Sequence, residues 1–358
     1  MRVQAFGSFD AVRHPRIAIL LDGLRARGVD VDVCNVPLEL DTAGRVQMLK
    51  EPWRLPLLVV LVLRTWWQLA RRSRRLPTPD AVLVGYLGHF DVLLARLLFR
   101  RPLIVHDMLV FASDTARDRG AGGLRQRLLR GLDNAAIRAS DVVVVDTDEH
   151  LAMLPAGTDG LVVHVGTPEA WVAEPPTPRE GPLRVVFFGL YTPLQGAPTI
   201  GEALSLLGSG IKVTMVGHGQ DLRRTQDLAG DADVTWLDWV EPVDLPVLVR
   251  EHDVCLGIFS AVGKGTRVVP NKVFQGAAAG CCLVTSDTPP QRRALGAAAV
   301  LVTPGDPHVL AAALTDLSSD RARLLALRLA AWDLAQQQFL PEAVVAPLYD
   351  TLARKASL

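Results

Sequence analysis

Short apolar runs alternate with helical patterns along almost the whole chain. Val3 to Gly7 is an apolar stretch ending in a glycine turn. His14 to Arg27 then places Ile17, Leu20, Leu21 and Leu24 at helical spacing. Gly28 supplies the stop, because a residue without a Cβ enters the left-handed conformation that ends a helix at least cost. Val29 to Val33 reads as a second strand, and Ala81 to Gly85, Leu103 to Asp107 and Val142 to Asp146 continue the series. Continuous apolar strands separated by helices predict parallel sheets covered on both faces. Thr167 to Pro182, rich in Pro, Glu and Gly, breaks the pattern and reads as a linker. The alternation restarts with strands at Val185 to Phe188, Lys212 to Gly217, Val234 to Leu237, Val254 to Ile258, Cys281 to Thr285 and Val300 to Thr303. From Pro307 the pattern is helical, with a break near Pro341.

The predicted fold is α/β: two doubly wound Rossmann-like domains facing a cleft. They are expected over 1–166 and 183–338, joined by the linker 167–182 and followed by a helix in 339–358. The length of 358 residues is enough for two separate cores. Lys and Arg number 38 and Asp and Glu 38, so the formal net charge is zero and bulk electrostatic capture of nucleic acid is not expected. Cys34, Cys255, Cys281 and Cys282 lie in or beside apolar runs, without CxxC or Cys/His ligand spacing. That usage fits reduced thiols and predicts neither a disulfide frame nor a metal site. MRVQAFGSFD lacks the apolar core of a secretory signal, so a cytoplasmic protein is expected.

Leu55 to Leu63 fits the alternation badly. It is almost wholly apolar and runs into Trp66, Trp67, Arg71, Arg72, Arg74 and Arg75. The segment is too short and too charged at one end to span a bilayer. Trp at an apolar–basic boundary suits an interfacial helix, so Pro52 to Arg75 is a candidate for peripheral contact with the inner face of a membrane. A core helix with a solvated basic end is the other reading.

Open α/β sheets bind ligands at the carboxyl ends of their strands. In the first domain that rule selects Gly7, Ser8, Arg13 and His14 after the first strand, and His106 with Asp107 after Leu103 to Val105. His106 is the candidate for polar work in the cleft; a histidine satisfying loop carbonyls is the alternative. In the second domain the rule selects Gly189, Gln195 and the Gly217-His218-Gly219 turn. It also selects KGTRVVPNKVFQGAAAGCCLVTSD, Lys264 to Asp287, where Lys264, Arg267 and Lys272 surround the start of a small-residue helix. Free amides and the helix dipole favour an anion at such a start, and the cations add to it. A phosphate-bearing ligand is the candidate, against a solvated basic loop. Walker, nucleophile-elbow, HExxH and GxGxxG signatures are absent.

The segments FFGLYTPLQG (Phe187 to Gly196), MVGHGQ (Met215 to Gln220), HDVCLGIF (His252 to Phe259) and Lys264 to Asp287, in that order, resemble the GT-B-fold retaining glycosyltransferases of family four, the group 1 glycosyltransferases. Ala95 to Asp107 and Arg138 to His150 fit the family's acceptor half more loosely, and the resemblance implies that Gly7, Ser8, Arg13 and His14 lie on the acceptor side. The resemblance implies a nucleoside-diphosphate-sugar held by the second domain through Gly189, Gln195, Gly217, Gly219, Lys264, Arg267, Asn271, Lys272 and Gln275. It implies a last helix crossing back to the first domain, no cofactor and no metal. Transfer would proceed with retention to a saccharide, lipid-linked or small-molecule acceptor, with His106, Asp107, Arg267 and Lys272 as the catalytic set. Base selectivity would fall to loops near Gly217 to Gln220 and Trp239 to Val240. Many family members carry a basic pair at the positions of Leu190 and Gln195, and a Glu pair at those of Arg267 and Gln275; this chain has neither. Lys264, Arg267 and Lys272 are therefore expected to replace the missing turn cations as a diphosphate clamp. A hydrolysing nucleotide-sugar epimerase and a non-catalytic binding homologue are the alternatives.

Overall fold

Strands buried on both faces must be apolar throughout, and that requirement yields two parallel six-stranded sheets. The computed structural model describes residues 1–11, 14–37, 55–118 and 122–356. In chain order the first half runs β1 (Arg2–Gly7), α1 (Arg16–Ala26), β2 (Asp30–Asn35), α2 (Leu55–Ser73), β3 (Ala81–Val84) and α3 (Asp91–Leu98). It continues with β4 (Leu103–Asp107), α4 (Ala112–Asp118), α5 (Gly123–Ala139), β5 (Val142–Val145), α6 (Asp148–Leu151) and β6 (Gly160–Val162). The strand order is β2-β1-β3-β4-β5-β6.

The second half opens with β7 (Leu183–Phe188), α7 (Ala197–Ser205), β8 (Ile211–Val216), α8 (Leu222–Ala229), β9 (Val234–Leu237) and α9 (Leu245–Arg250). β10 (Val254–Leu256), α10 (Asn271–Ala278), β11 (Cys282–Ser286), α11 (Pro289–Leu295) and β12 (Ala299–Val302) complete the sheet, ordered β12-β11-β10-β7-β8-β9. α12 (Pro307–Ser319), α13 (Arg321–Leu334), α14 (Pro341–Val344) and α15 (Ala346–Ala356) follow. Each sheet reverses its direction of growth beside its first strand, between β1 and β3 and between β7 and β10. Such reversals open a crevice at the carboxyl ends of the strands.

Contacts divide the chain into two units. Unit 1 takes Met1–Val145, Leu151–Val163 and the chain from Val345 onward; unit 2 takes Asp146–His150 and His164–Val344. α15 is held to unit 1 by Arg27 stacking on Tyr349, 5.4 Å from its ring centre, and by a 2.7 Å ion pair between Lys355 and Asp159. The Pro-rich stretch 167–182 is laid along unit 2 as a strap. Trp171 is buried and stacks on Phe188 at 5.5 Å, and Ala173 and Thr177 carbonyls accept from Trp332 Nε1 and Arg328 Nη1, each at 2.8 Å. Composition alone hides this, because the anchors are Trp171 and side chains from far along the chain, Arg328 and Trp332.

In unit 1 one core cluster joins Phe6, Val82 and Val84 of the sheet to Leu69 of α2, Val92 and Leu94 of α3 and Ala136 of α5. These three helices therefore form one layer on one side of that sheet. A buried ion pair lies elsewhere in unit 1: Arg16 Nε donates to Asp107 Oδ1 at 2.9 Å, and its Nη2 donates to the Val163 carbonyl at 2.9 Å. α1, β4 and the chain after β6 are thereby tied together.

Removing one member of a buried ion pair leaves the other charge unpaired, at a cost of about 3–5 kcal/mol. Asp107→Ala should lose stability of that order in urea unfolding. Arg16→Met/Asp107→Leu, which removes both charges, should be no less stable than wild type. A loss below about 1 kcal/mol in the single variant would contradict the pairing.

Candidate functional site

Unit 2 gathers its predicted residues at the reversal between β7 and β10. The β7 turn, Gly189 onward, and the β8 turn, Gly217 to Gly219, are stitched together by backbone: Gly189 N–H donates to the Val216 carbonyl at 3.1 Å and Tyr191 N–H to the His218 carbonyl at 2.9 Å. Glycine is required for this closeness. A Cβ on Gly217, at φ +123°, would stand 2.0 Å from the Gly189 carbonyl oxygen, and one on Gly219 would stand 2.4 Å from that of Tyr191. The Gln195 carbonyl accepts from Phe259 N–H at 2.9 Å, which fixes the β7 turn against the end of β10.

α10 delivers Lys272 into this turn. Its side chain is 5% exposed, and Nζ donates to Gln195 Oε1 at 2.6 Å. The ammonium also lies over the Phe187 ring, 3.6 Å from the centroid, and a Cβ on Gly189 would stand 3.3 Å from it. Burial pushes the Lys272 ammonium down from its usual 10.5 to about 7, and the neighbouring Cys255 works weakly the other way. No side chain caps the start of α10, whose N-cap is Pro270, so the first amides and the dipole face the same end as Lys272.

The other residues selected in unit 2 lie on α10 and on the chain leading to it. Lys264 belongs to the turn Gly263–Thr266, which packs against the turn Pro193–Gln195. Arg267 is half-buried, and its carbonyl accepts from Thr147 Oγ1 at 2.8 Å. Asn271 is exposed at the first position of α10 and Gln275 half-buried one turn later. Lys272 thus touches the β7 turn directly, while Lys264 and Arg267 stand on the chain leading to α10.

The corresponding crevice of unit 1 is filled from within. Asp91, at the start of α3, accepts from both the N–H and the Oγ of Ser8 at 2.8 Å, and a Cβ on Gly7 would stand 3.0 Å from its Oδ2. A carboxylate of the protein therefore occupies the amide that an anionic ligand would use. His14 meets Tyr86 edge-on at 4.9 Å, and its N–H donates to the Asp10 carbonyl. Arg13 lies outside the described residues, as do Pro52 to Arg54 of the apolar–basic segment.

His106 and Asp107 belong to β4 itself and do not follow it. His106 is paired in register with Val84 and Val143 and is 0% exposed. Its ring meets His89 edge-on at 5.5 Å, and neither ring nitrogen has a hydrogen-bond partner among the described residues. Burial pushes its imidazole down to about 3; His89 adds to the shift and Asp133 opposes it. Burial therefore favours the neutral ring, whose remaining N–H is too weakly acidic for general-acid work near neutral pH. Asp107 serves the Arg16 ion pair, which is a folding role.

Sequence reasoning missed Asp91, Arg16, Phe187 and Thr147 as partners of the selected residues. Asp91 opens α3, the helix that follows β3, so a search of helix starts as well as strand ends would have found it. Arg16 lies four residues before Leu20 and eight before Leu24, a lone cation on the buried stripe of a helix.

Residues 182–320 match the family model of glycosyl transferases group 1. That span runs from the start of β7 through α12 and includes Gly189, Gln195, Gly217, Gly219, Lys264, Arg267, Asn271, Lys272 and Gln275. No curated protein matches the chain. Sucrose-phosphate synthase from Thermosynechococcus elongatus superposes with a TM-score of 0.75 at 15% identity, covering 100% of both chains. Anabaena HepE, solved with UDP and glucose, superposes at 0.70 and 14% identity over 99% of this chain and 100% of its own. An E. coli trehalose-6-phosphate protein bound with UDP-2-fluoro glucose gives 0.67 and 13% over 98% of this chain and 99% of its own. At such identities these structures share the fold, which is GT-B.

Lys272 carries a stability cost that depends on pH. The unfolded lysine titrates near 10.5 and the folded one near 7, so between these values the unfolded chain holds the extra proton and wild-type stability rises with pH. Lys272→Met should therefore be the more stable protein below pH 7, by about 1–4 kcal/mol. That advantage should shrink toward pH 10. An advantage that does not vary with pH would show that Lys272 is not buried as a titrating group.

Proposed function

We propose that this chain is a glycosyltransferase that moves a sugar from a nucleoside-diphosphate-sugar to a hydroxyl of a saccharide, lipid-linked or small-molecule acceptor, with retention. Unit 2 holds the donor. The observation that carries this reading is Lys272 Nζ at 2.6 Å from Gln195 Oε1. The resemblance puts a basic residue at the position of Gln195, and here a helix supplies the cation to the same turn. Glycine-tight backbone, the start of α10 and a buried ammonium together suit a diphosphate.

In the proposed reaction the bond from the anomeric carbon to the diphosphate oxygen breaks as the bond to the acceptor oxygen forms on the same face. The acceptor's proton passes to the leaving diphosphate. No protein carboxylate is asked to act as nucleophile, and no metal is needed where Lys272, with Lys264 and Arg267 nearby, offsets the growing charge. The diphosphate also recharges Lys272, replacing a neutral amide partner with an anion. UDP-sugars are the first donors to test, because Anabaena HepE was solved with UDP-glucose and the E. coli protein with UDP-2-fluoro glucose. Four buried, free cysteines suit the reducing cytoplasm, where this reading places the protein. Arg267 and Gln275 in place of a Glu pair favour one rival, a donor-binding homologue without turnover.

A donor present at a hundred times its dissociation constant should stabilise the protein by about 2.7 kcal/mol, visible as a thermal shift in a panel of nucleoside-diphosphate sugars. With the donor so identified, Lys272→Met should lower transfer by about 10²–10³, the usual loss for one donor to a developing anion. Arg267→Lys should also be impaired, since an ammonium cannot bridge two phosphate oxygens as a guanidinium does. Full activity in Lys272→Met would remove the diphosphate assignment. Donor binding with no transfer or hydrolysis by any of these proteins would establish the rival.

A further inference from the structure

The helical layer α2, α3 and α5 of unit 1 turns an apolar face to solvent that the glycosyl-transfer reading leaves unused. On α2, Val59, Val60, Leu63 and Trp67 are exposed, Val60 and Trp67 each at 59%. At about 100° per residue these four fall within one stripe roughly 100° wide. The opposite side of α2 carries Thr65 and Leu69, both buried in unit 1. α2 is thus apolar on the side that faces the protein and on the side that faces away.

The stripe is not confined to α2. Leu97 of α3 is 72% exposed and Leu124 of α5 is 73% exposed, with Leu128 one turn further along α5. α3 packs against both α2 and α5, so these side chains belong to the outer surface of one layer. Solvent-facing leucines at i and i+4 on a helix that already buries another side have no folding role.

The exposed charges on α2 and α5 have one sign. Arg64, Arg71, Arg74 and Arg75 are exposed on or just after α2, and Arg127 and Arg130 on α5. No Asp or Glu occurs from residue 55 to 79 or from 123 to 132, although the whole chain is neutral. Arg71 lies over the Trp67 ring, 4.7 Å from its centre, pairing an exposed indole with a guanidinium. Among the described residues no helix is long and apolar enough to cross a membrane.

We infer that the outer face of α2, α3 and α5 docks unit 1 on an anionic lipid bilayer. Apolar side chains enter the acyl boundary, Trp67 sits at headgroup level, and the arginines meet lipid phosphates. A soluble polyanion would satisfy the arginines and leave seven large apolar side chains in water. A symmetric pair of chains would bring two like-charged faces together, which opposes association. The inference is independent of the transfer reading, since lipid binding needs no donor.

The test is sedimentation of the full chain with vesicles of phosphatidylcholine alone or with added phosphatidylglycerol. Binding should appear with the anionic lipid and fall steeply with added salt. Leu63→Ser/Trp67→Ser, Leu124→Ser/Leu128→Ser and Arg74→Glu/Arg75→Glu should each weaken it by roughly tenfold or more. All six positions are exposed, so far-UV circular dichroism and the melting temperature should match wild type. Equal recovery in the supernatant with and without anionic vesicles would overturn the inference. So would unchanged binding by Leu124→Ser/Leu128→Ser, or a soluble dimer that the same substitutions dissolve.

Discussion

A lysine side chain has been drawn out of water and set between an amide oxygen and an aromatic ring, and the second unit is arranged to keep it there. Lys272 reaches Gln195 from the first turn of α10, and Phe187 lies beneath it because β7 is the central strand beside the sheet's reversal. An ammonium held by one neutral acceptor and a ring face is poorly solvated, which is why its proton affinity falls toward neutrality. The fold accepts that cost where an incoming anion would remove it. On the proposed reading, a bound diphosphate would offset that cost, since a ligand that binds only the folded state stabilises it.

The two sheets solve the same topological problem with opposite chemistry. Each has a reversal beside its first strand and a glycine turn at the strand end. In unit 1 the turn amide at Ser8 is satisfied by Asp91, so that crevice is electrostatically closed to an anion. In unit 2 the equivalent turn meets a cation and an uncapped helix start. The two turns therefore differ in polarity: a carboxylate meets the first and an ammonium the second.

The strands were legible because burial on both faces demands unbroken apolar runs, and Leu103 to Asp107 and Val234 to Leu237 fall where the pattern puts them. β6 escaped because Gly160–Val162 is only three half-buried residues. The doubly wound α/β halves could be inferred from the alternation, and the GT-B fold from the resemblance of four ordered segments. The geometry inside the turns could not. Gln195 and Lys272 are 77 residues apart, and no spacing rule says that they touch. His106 shows the converse limit: the sequence places a histidine near a strand end, but only the register with Val84 and Val143 reveals that its ring is enclosed. Likewise Leu97, Leu124 and Leu128 look like ordinary core positions until the layer around them is known.

The central claim is that Lys272 is the group a diphosphate recharges, and proton uptake on binding measures it most directly. Calorimetric titration of the full chain with UDP at pH 8, in two buffers of different ionisation enthalpy, counts the protons taken up. With a free-state value near 7, the lysine is mostly neutral at that pH and should gain close to one proton when the diphosphate arrives. The uptake should vanish in Lys272→Met. Binding of UDP without proton uptake, or with the same uptake in the variant, would contradict the account.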